Sequence, residues 1–225
     1  MSGNTVALVA ARDEEDRVGD TVRALHAIEA LDEVVVVDGG SSDATAREAA
    51  AAGARVLRSP APLGKGDALE AALWRLGPAR HYVLADADLG ASAVGMGWVL
   101  EEVLEGRADM AVAILPAPPS GGFGLVKSAA GRGIRRMSGF APAAPLSGQR
   151  ALSAECLRAC RPLAPGFGVE VGLTADAVRM GFRVVEVPVQ LEHRWTRKDL
   201  AGFVHRGRQG LDAARALVPR ALALR

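Results

Sequence analysis

Four consecutive valines, Val34 to Val37, constrain this chain more than any other stretch. Successive side chains on a strand point to opposite faces, so an unbroken β-branched run needs apolar cover on both sides. Such a strand belongs inside a parallel sheet layered between helices. A buried-strand run at 6–10 precedes it, and between the two lie apolar residues at Val18, Val22, Leu25, Ile28 and Leu31, close to helical spacing. The pattern then predicts a helix over 44–52, capped by Ser42-Asp43 and stopped by Gly53. A strand at 55–57, a helix over 66–76 and a strand at 82–85 ending on Asp86 follow. This βαβαβαβ alternation is the signature of an α/β fold with a mostly parallel central sheet flanked by helices.

The rest of the chain is less regular. We read helix at 93–104, strand at 110–115, loop at 116–124 and a basic helix at 125–137. Residues 142–148 are extended or looped, 154–159 and 169–180 helical, 183–191 a strand, and an arginine-rich helix runs from 200. No repeat and no long linker divides the 225 residues, so one domain over 1–225 is expected, with a first half 1–90, an irregular second portion 91–195 and a tail 196–225. Apolar types at 49 % and charged types at 24 % exclude a disordered chain. A net charge of +1 and 4 % aromatics argue against nucleic acid as a partner. Cys156 and Cys160 are read as buried small residues in a reducing cytoplasm. No basic segment followed by an apolar stretch opens the sequence, and no apolar run approaches the roughly 18 residues of a membrane span, so the cytoplasm is the expected location.

In an open parallel sheet, ligands sit beyond the carboxyl ends of the strands. Four segments reach that edge: Ala11-Arg12-Asp13-Glu14-Glu15, Asp38-Gly39-Gly40-Ser41-Ser42-Asp43, Pro62-Leu63-Gly64-Lys65-Gly66-Asp67 and Asp86-Ala87-Asp88. Alternating carboxylates at Asp86 and Asp88 can face one Mg2+ or Mn2+, ions held by one or two carboxylates plus substrate phosphates and water. The other reading of that triplet is a turn with Asp88 as its cap. Asp38 is either a turn residue or a carboxylate for a base or ribose edge. Lys65, one of three lysines beside 24 arginines, sets a cation between glycines where backbone can approach a ligand; the alternative is a solvated loop lysine. The segment is not a P-loop, since Ser59 and Gly66 replace the required Gly and Ser or Thr. A dinucleotide fingerprint, a nucleophile elbow and a His-x-x-x-His zinc pair are all missing.

The motifs Ala-Arg-Asp-Glu-Glu, Val-Val-Asp-Gly-Gly-Ser-Ser-Asp-Ala-Thr, Gly-Lys-Gly-Asp-Ala-Leu and Asp-Ala-Asp-Leu, in that order, resemble the nucleotide-sugar half of family-2-like GT-A glycosyltransferases. Pro145-Leu146-Ser147-Gly148-Gln149, the stretch Ala164-Pro165-Gly166-Phe167-Gly168-Val169-Glu170 and His193-Arg194 look like the branch of glucosyl-3-phosphoglycerate synthases. The resemblance spans roughly residues 5 to 200. It implies a metal-dependent transfer of glucose from UDP-glucose to a small anionic acceptor such as 3-phosphoglycerate, with retention. Residues 1–90 would be the nucleotide-sugar half and 91–195 the acceptor and catalytic half. Ala10, Ala11, Arg12, Asp13 and Glu14 would hold the uridine, with Asp13 where the family more often has Asn. Asp38 and Gly39 would line the nucleotide, Lys65 would stand near it, and Asp86 with Ala87 would meet the ribose. Asp88 and His193 would bind the metal, and Glu170, with Asp88, would be catalytic.

By residue chemistry alone, His193 reads as a surface histidine and Glu170 as a charge complementing a helix dipole. Lys127, Arg132 and Arg136 could meet an anionic acceptor, with Ser147 and Gly148 beside them, or form a solvated helix face. The acceptor pattern departs from the family: Gly121-Gly122-Phe123-Gly124 stands in place of a Gly-Gly-Arg-Val-Thr-Glu-like segment, and Trp195 in place of Asn. A polyprenyl phosphate acceptor therefore stays open. More remote are a sugar-phosphate nucleotidylyltransferase, which would want a Gly- and Arg-rich loop after the first strand, and a non-catalytic nucleotide-sugar binder. The tail, with Phe203, Leu211, Leu217 and Val218 among arginines, would pack on the domain, join a homodimer or rest on a membrane surface.

Overall fold

The computed structural model describes residues 4–116 and 124–192, with 211, 212, 215 and 216. Strands β1 (Thr5–Ala11), β2 (Glu33–Asp38), β3 (Arg55–Arg58) and β4 (His81–Asp86) are joined by helices α1 (Val18–His26), α2 (Thr45–Ala51) and α3 (Lys65–Leu73). Then come α4 (Met96–Leu104), β5 (Met110–Ile114), α5 (Gly124–Ser138), β6 (Arg150–Ser153), α6 (Ala154–Ala159), α7 (Val169–Arg179) and β7 (Val184–Pro188). The seven strands form one sheet in the order β3-β2-β1-β4-β6-β5-β7. Only β6 runs antiparallel to its neighbours β4 and β5.

The valine run behaves as its chemistry requires. Val34 and Val36 face a core that includes Val18, Val22 and Leu25 of α1 and Met96, Val99 and Leu100 of α4. Val35 and Val37 face the opposite core, with Leu69 and Leu73 of α3, Leu157 of α6 and Leu173 of α7. Each of the four is at most 4 % exposed, and full burial of one such side chain is worth roughly 1.5–3 kcal/mol over leaving it in water. Cys156 and Cys160 are free thiols in the second core. Their mutual hydrogen bond and burial push the Cys156 thiol well above its ordinary value.

Several bounds differ from the sequence pattern: α3 closes at Leu73 and not at 76, and β7 covers 184–188 and not 183–191. The α1 helix stops at His26, and the apolar spacing to Leu31 continues through tight turns, Ile28 N to Leu25 O and Leu31 N to Ile28 O. The predicted helix over 93–104 begins as a 3-10 turn, Gly90–Gly95. There a Cβ on Gly95 would lie 2.9 Å from Val189 Cγ1, so the glycine is what lets this turn approach the strand end. Strand β6 was not legible, because it is four residues long and carries a buried arginine in place of an alternating pattern.

Register brings the chemistry to one edge. Ala11 pairs with Asp38 on one side of β1, and Ala10 pairs with Asp86 on the other. Both aspartates thus end their strands beside the exit of β1. Among the described residues, no helix is long and apolar enough to cross a membrane.

Candidate active site

The loops after β1 and β2 are bound into one unit. Asp13 adopts the left-handed region at φ 55°. Its Oδ1 accepts from Ser42 N at 2.8 Å and Ser42 Oγ at 3.0 Å, while its own N–H donates to Ser41 Oγ at 3.0 Å. Glu14 N donates to Thr45 Oγ1 at 2.8 Å, and Glu15 Oε2 accepts from Ala44 N at 2.8 Å. The carboxylates at 13 and 15 therefore pin one loop to the other, and Arg12 is exposed beside them.

Asp38 lies beneath this lattice, fully buried. Its Oδ1 accepts from Gly40 N at 3.1 Å, Ser41 N at 2.8 Å and Ser41 Oγ at 2.6 Å. Its Oδ2 lies 3.2 Å from Arg58 Nε, yet takes no hydrogen bond among the described residues. Arg58 also donates to Ser41 O at 2.7 Å. The neighbouring cleft, about 460 Å3, is lined by Gly40, Ser41, Arg58 and residues 59–62. Gly39 N donates to Ala11 O at 2.9 Å, so its backbone closes the β1 edge.

A second cluster stands at the end of β4. Lys65 opens α3, and its Nζ donates to Asp86 Oδ1 at 2.5 Å and to Glu170 Oε1 at 2.8 Å. The Lys65 side chain is 13 % exposed and that of Glu170 7 %. Burial opposes the ammonium charge, but the two carboxylates outweigh it and hold Lys65 above the usual lysine range. Gly148 packs its bare backbone here, since a Cβ on it would collide with Lys65 Nζ and Asp86 Oδ2. Gly66 is required as well, because a Cβ there would run into the carbonyl oxygen of Ala164.

The turn after β4 is fixed from α1 and the segment before it. Ala87 N donates to Ala10 O at 3.2 Å, Thr21 Oγ1 donates to Ala87 O at 2.7 Å, and Arg17 Nη1 donates to Asp88 O at 3.0 Å. Asp86 is committed to Lys65 and to Gln149, whose Nε2 donates to Asp86 Oδ2 at 2.6 Å. Asp88, the third residue of the triplet, is held through its carbonyl by Arg17. No cluster of three or more His, Cys, Asp or Glu exists among the described residues. A single carboxylate suits Mg2+ or Mn2+, which complete their shells with phosphate and water. His193 lies outside the described residues.

The expected acceptor residues separate. Lys127, Arg132 and Arg136 are exposed on α5, whose Ala130 and Ile134 pack on Val171 and Ala175 of α7. Ser147 lends its carbonyl to Arg150 Nε at 2.9 Å, and Gly148 belongs to the Lys65 cluster. Most of the tail lies outside the described residues. Its Asp212 accepts from Phe167 N at 3.2 Å, and Ala216 packs against Gly168. Sequence reasoning missed Arg17, Thr21, Arg58, Gln149 and Arg150 as contributors. A buried polar residue on a short strand leaves no periodic trace, and only the stretch beginning at Pro145 pointed toward Gln149.

An open sheet with acids and one buried lysine along its carboxyl edge defines an α/β class that takes its ligands beyond the strand ends. The family described as Glycosyl transferase family 2 matches residues 6–137, and the chain belongs to that family. A glucosyl-3-phosphoglycerate synthase of Mycolicibacterium paratuberculosis is 32 % identical over 213 residues, covering 82 % of this chain and 63 % of the relative. The chain thus spans less than two thirds of that relative's length. The Mycobacterium tuberculosis glucosyl-3-phosphoglycerate synthase in complex with Mg2+ and UDP is 26 % identical with a TM-score of 0.82, covering 97 % of this chain and 79 % of that one. The same enzyme with Mn2+, UDP-glucose and phosphoglyceric acid is 25 % identical with a TM-score of 0.80 over the same shares.

Proposed function

We propose that this chain transfers glucose from UDP-glucose to a small phosphorylated acceptor, 3-phosphoglycerate, in the cytoplasm, with Mg2+ or Mn2+ as cofactor. One observation carries the reading: Lys65 joins Asp86, from the donor half, to Glu170, from the second half, within 2.8 Å. The complexes named for the tuberculosis relatives, with UDP-glucose, divalent metal and phosphoglyceric acid, support it. In this reading residues 1–90 hold the nucleotide sugar, 91–195 the acceptor and catalytic groups, and all 225 residues act as one unit.

The reaction breaks the anomeric C–O bond while negative charge grows on the departing diphosphate. A divalent ion held by Asp88 and His193 would supply electrophilic stabilisation of that charge. Lys65, paired with two carboxylates, would hold those acids in place around the donor. Glu170 would steady an oxocarbenium-like sugar in this reading, and retention at the anomeric carbon is part of the proposal. In this reading Asp38, buried against Arg58, and Gly39 would line the nucleotide beside that cleft. Lys127, Arg132 and Arg136 offer the acceptor phosphate a basic helix face, one that a polyprenyl phosphate would also meet.

Calorimetry with UDP, with and without Mn2+, and glucose transfer to 3-phosphoglycerate test this reading. Wild-type protein should bind UDP in a metal-dependent way. Asp88→Ala should lower turnover by about a hundred- to thousandfold while leaving the melting temperature in place. Unchanged turnover in that variant would remove the metal assignment. Transfer to polyprenyl phosphate in preference to phosphoglycerate would replace the acceptor.

A further inference from the structure

Gln149 has no part in the function proposed so far, yet its side chain is committed to a single residue. It lies just before β6, 2 % exposed. Asp86 N donates to its Oε1 at 2.9 Å, and its Nε2 donates to Asp86 Oδ2 at 2.6 Å. Its own backbone is held as well, since Ala113 N donates to Gln149 O at 2.9 Å. The other oxygen of Asp86 receives Lys65, which reaches Glu170. A continuous chain of contacts therefore runs from Gln149 through Asp86 and Lys65 to Glu170.

This arrangement needs a group that accepts from an N–H and donates to a carboxylate at once, which a side-chain amide does. The carboxylate torsion of an aspartate is broad, and the Asp86 side chain is 35 % exposed, so water competes for its orientation. The Gln149 amide, buried just before β6, holds both the backbone N–H and Oδ2 of Asp86 and removes that freedom. We propose that Gln149 is a positioning residue, fixing the carboxylate of Asp86 and, through it, the placement of the Lys65 ammonium. The donor-binding consequence rests on the function proposed above; the consequence for Lys65 does not.

The test compares wild type with Gln149→Met and Gln149→Glu. Methionine keeps the volume and removes both hydrogen bonds. An ionised glutamate keeps the acceptor for Asp86 N–H but sets a carboxylate against Asp86 Oδ2. The first readout is trace acetylation of the three lysines by acetic anhydride, with exposed Lys127 as the internal reference. The second is UDP affinity in Mn2+ by calorimetry, taken well below each melting temperature. Lys65 acetylation should rise severalfold in both variants. The UDP Kd should rise about tenfold in Gln149→Met and further in Gln149→Glu, the scale set by losing a hydrogen bond to a charged group. A purely structural glutamine would lower both melting temperatures and leave labelling and UDP affinity at wild-type values, which overturns the proposal. Should Gln149→Glu fail to fold, Gln149→Met decides by the same two readouts. A wild type that binds no UDP in Mn2+ overturns the donor reading instead, and Lys65 labelling still decides the role of Gln149.

Discussion

The two acid-rich regions at the sheet edge use their carboxylates differently, although Arg58 beside Asp38 gives the first region one cation of its own. After β1 and β2, Asp13, Glu15 and Asp38 accept from backbone N–H groups and serine hydroxyls. After β4, Asp86 and Glu170 face an ammonium ion instead. The first region is a lattice of local bonds that shapes two loops. The second is a partly buried ion network that joins segments 105 residues apart, from Lys65 to Glu170. A lattice of this kind builds a rigid rim, whereas an ion network in a poorly solvated site provides a field. Similar motifs in sequence thus divide into a hydrogen-bonded lattice and an ion network.

The ion network should be the more costly to break. Lys65→Met leaves Glu170 as an uncompensated buried charge and should cost about 3–5 kcal/mol in chemical unfolding, with transfer lost. Lys65→Arg should not restore activity, because Gly148 leaves no room for a guanidinium at Nζ. If Lys65→Met unfolds like wild type, the contrast between the regions fails. A smaller effect is expected in the lattice. Asp38→Ala removes three bonds at Oδ1 and should cost roughly 1.5–3 kcal/mol. Asp38→Asn keeps an acceptor for those bonds but turns an amide NH2 toward Arg58 in place of Oδ2. It should cost less stability than Asp38→Ala in chemical unfolding, and an equal cost would mean that the Arg58 contact, not the loop bonds, carries the contribution of Asp38.

The same contrast explains what the sequence could show. The first region was legible because its strands alternate with periodic helices and its acids fall just past each strand. The valine run even announced both cores. The second region is assembled across long separations. Lys65 and Asp86 stood in readable motifs, but their meeting with Glu170 and Gln149 depends on β6 inserting antiparallel between β4 and β5. Nothing in Arg150-Ala151-Leu152-Ser153 has the alternation that marks a half-buried strand. Arg150 donates to Ser147 O and Thr174 Oγ1, and burial pulls it down to about 10, against the pull of Glu170 and Glu186. A buried arginine of this sort looks like a surface residue until the fold supplies its partners. Glu170 came into view through resemblance, since a carboxylate at a helix start has an ordinary explanation in the helix dipole.

The finest probe of the lattice is acid. Burial works against the Asp43 charge, but bonds from Thr45 outweigh it and hold its carboxyl below the ordinary 3.8. Thr45 N lies 2.9 Å from Asp43 Oδ1. A depressed carboxyl contributes stability above its unfolded value and loses it as pH falls through the folded one. The Thr45 amide resonance should therefore titrate with a midpoint below 3.8, and this titration should vanish in Asp43→Asn. The accompanying change in stability near neutral pH should stay within about 0.5 kcal/mol, as expected of a site largely in water. A midpoint at or above 3.8 would mean that the loop bonds gain nothing from the charge, and the lattice would then owe its rigidity to geometry alone.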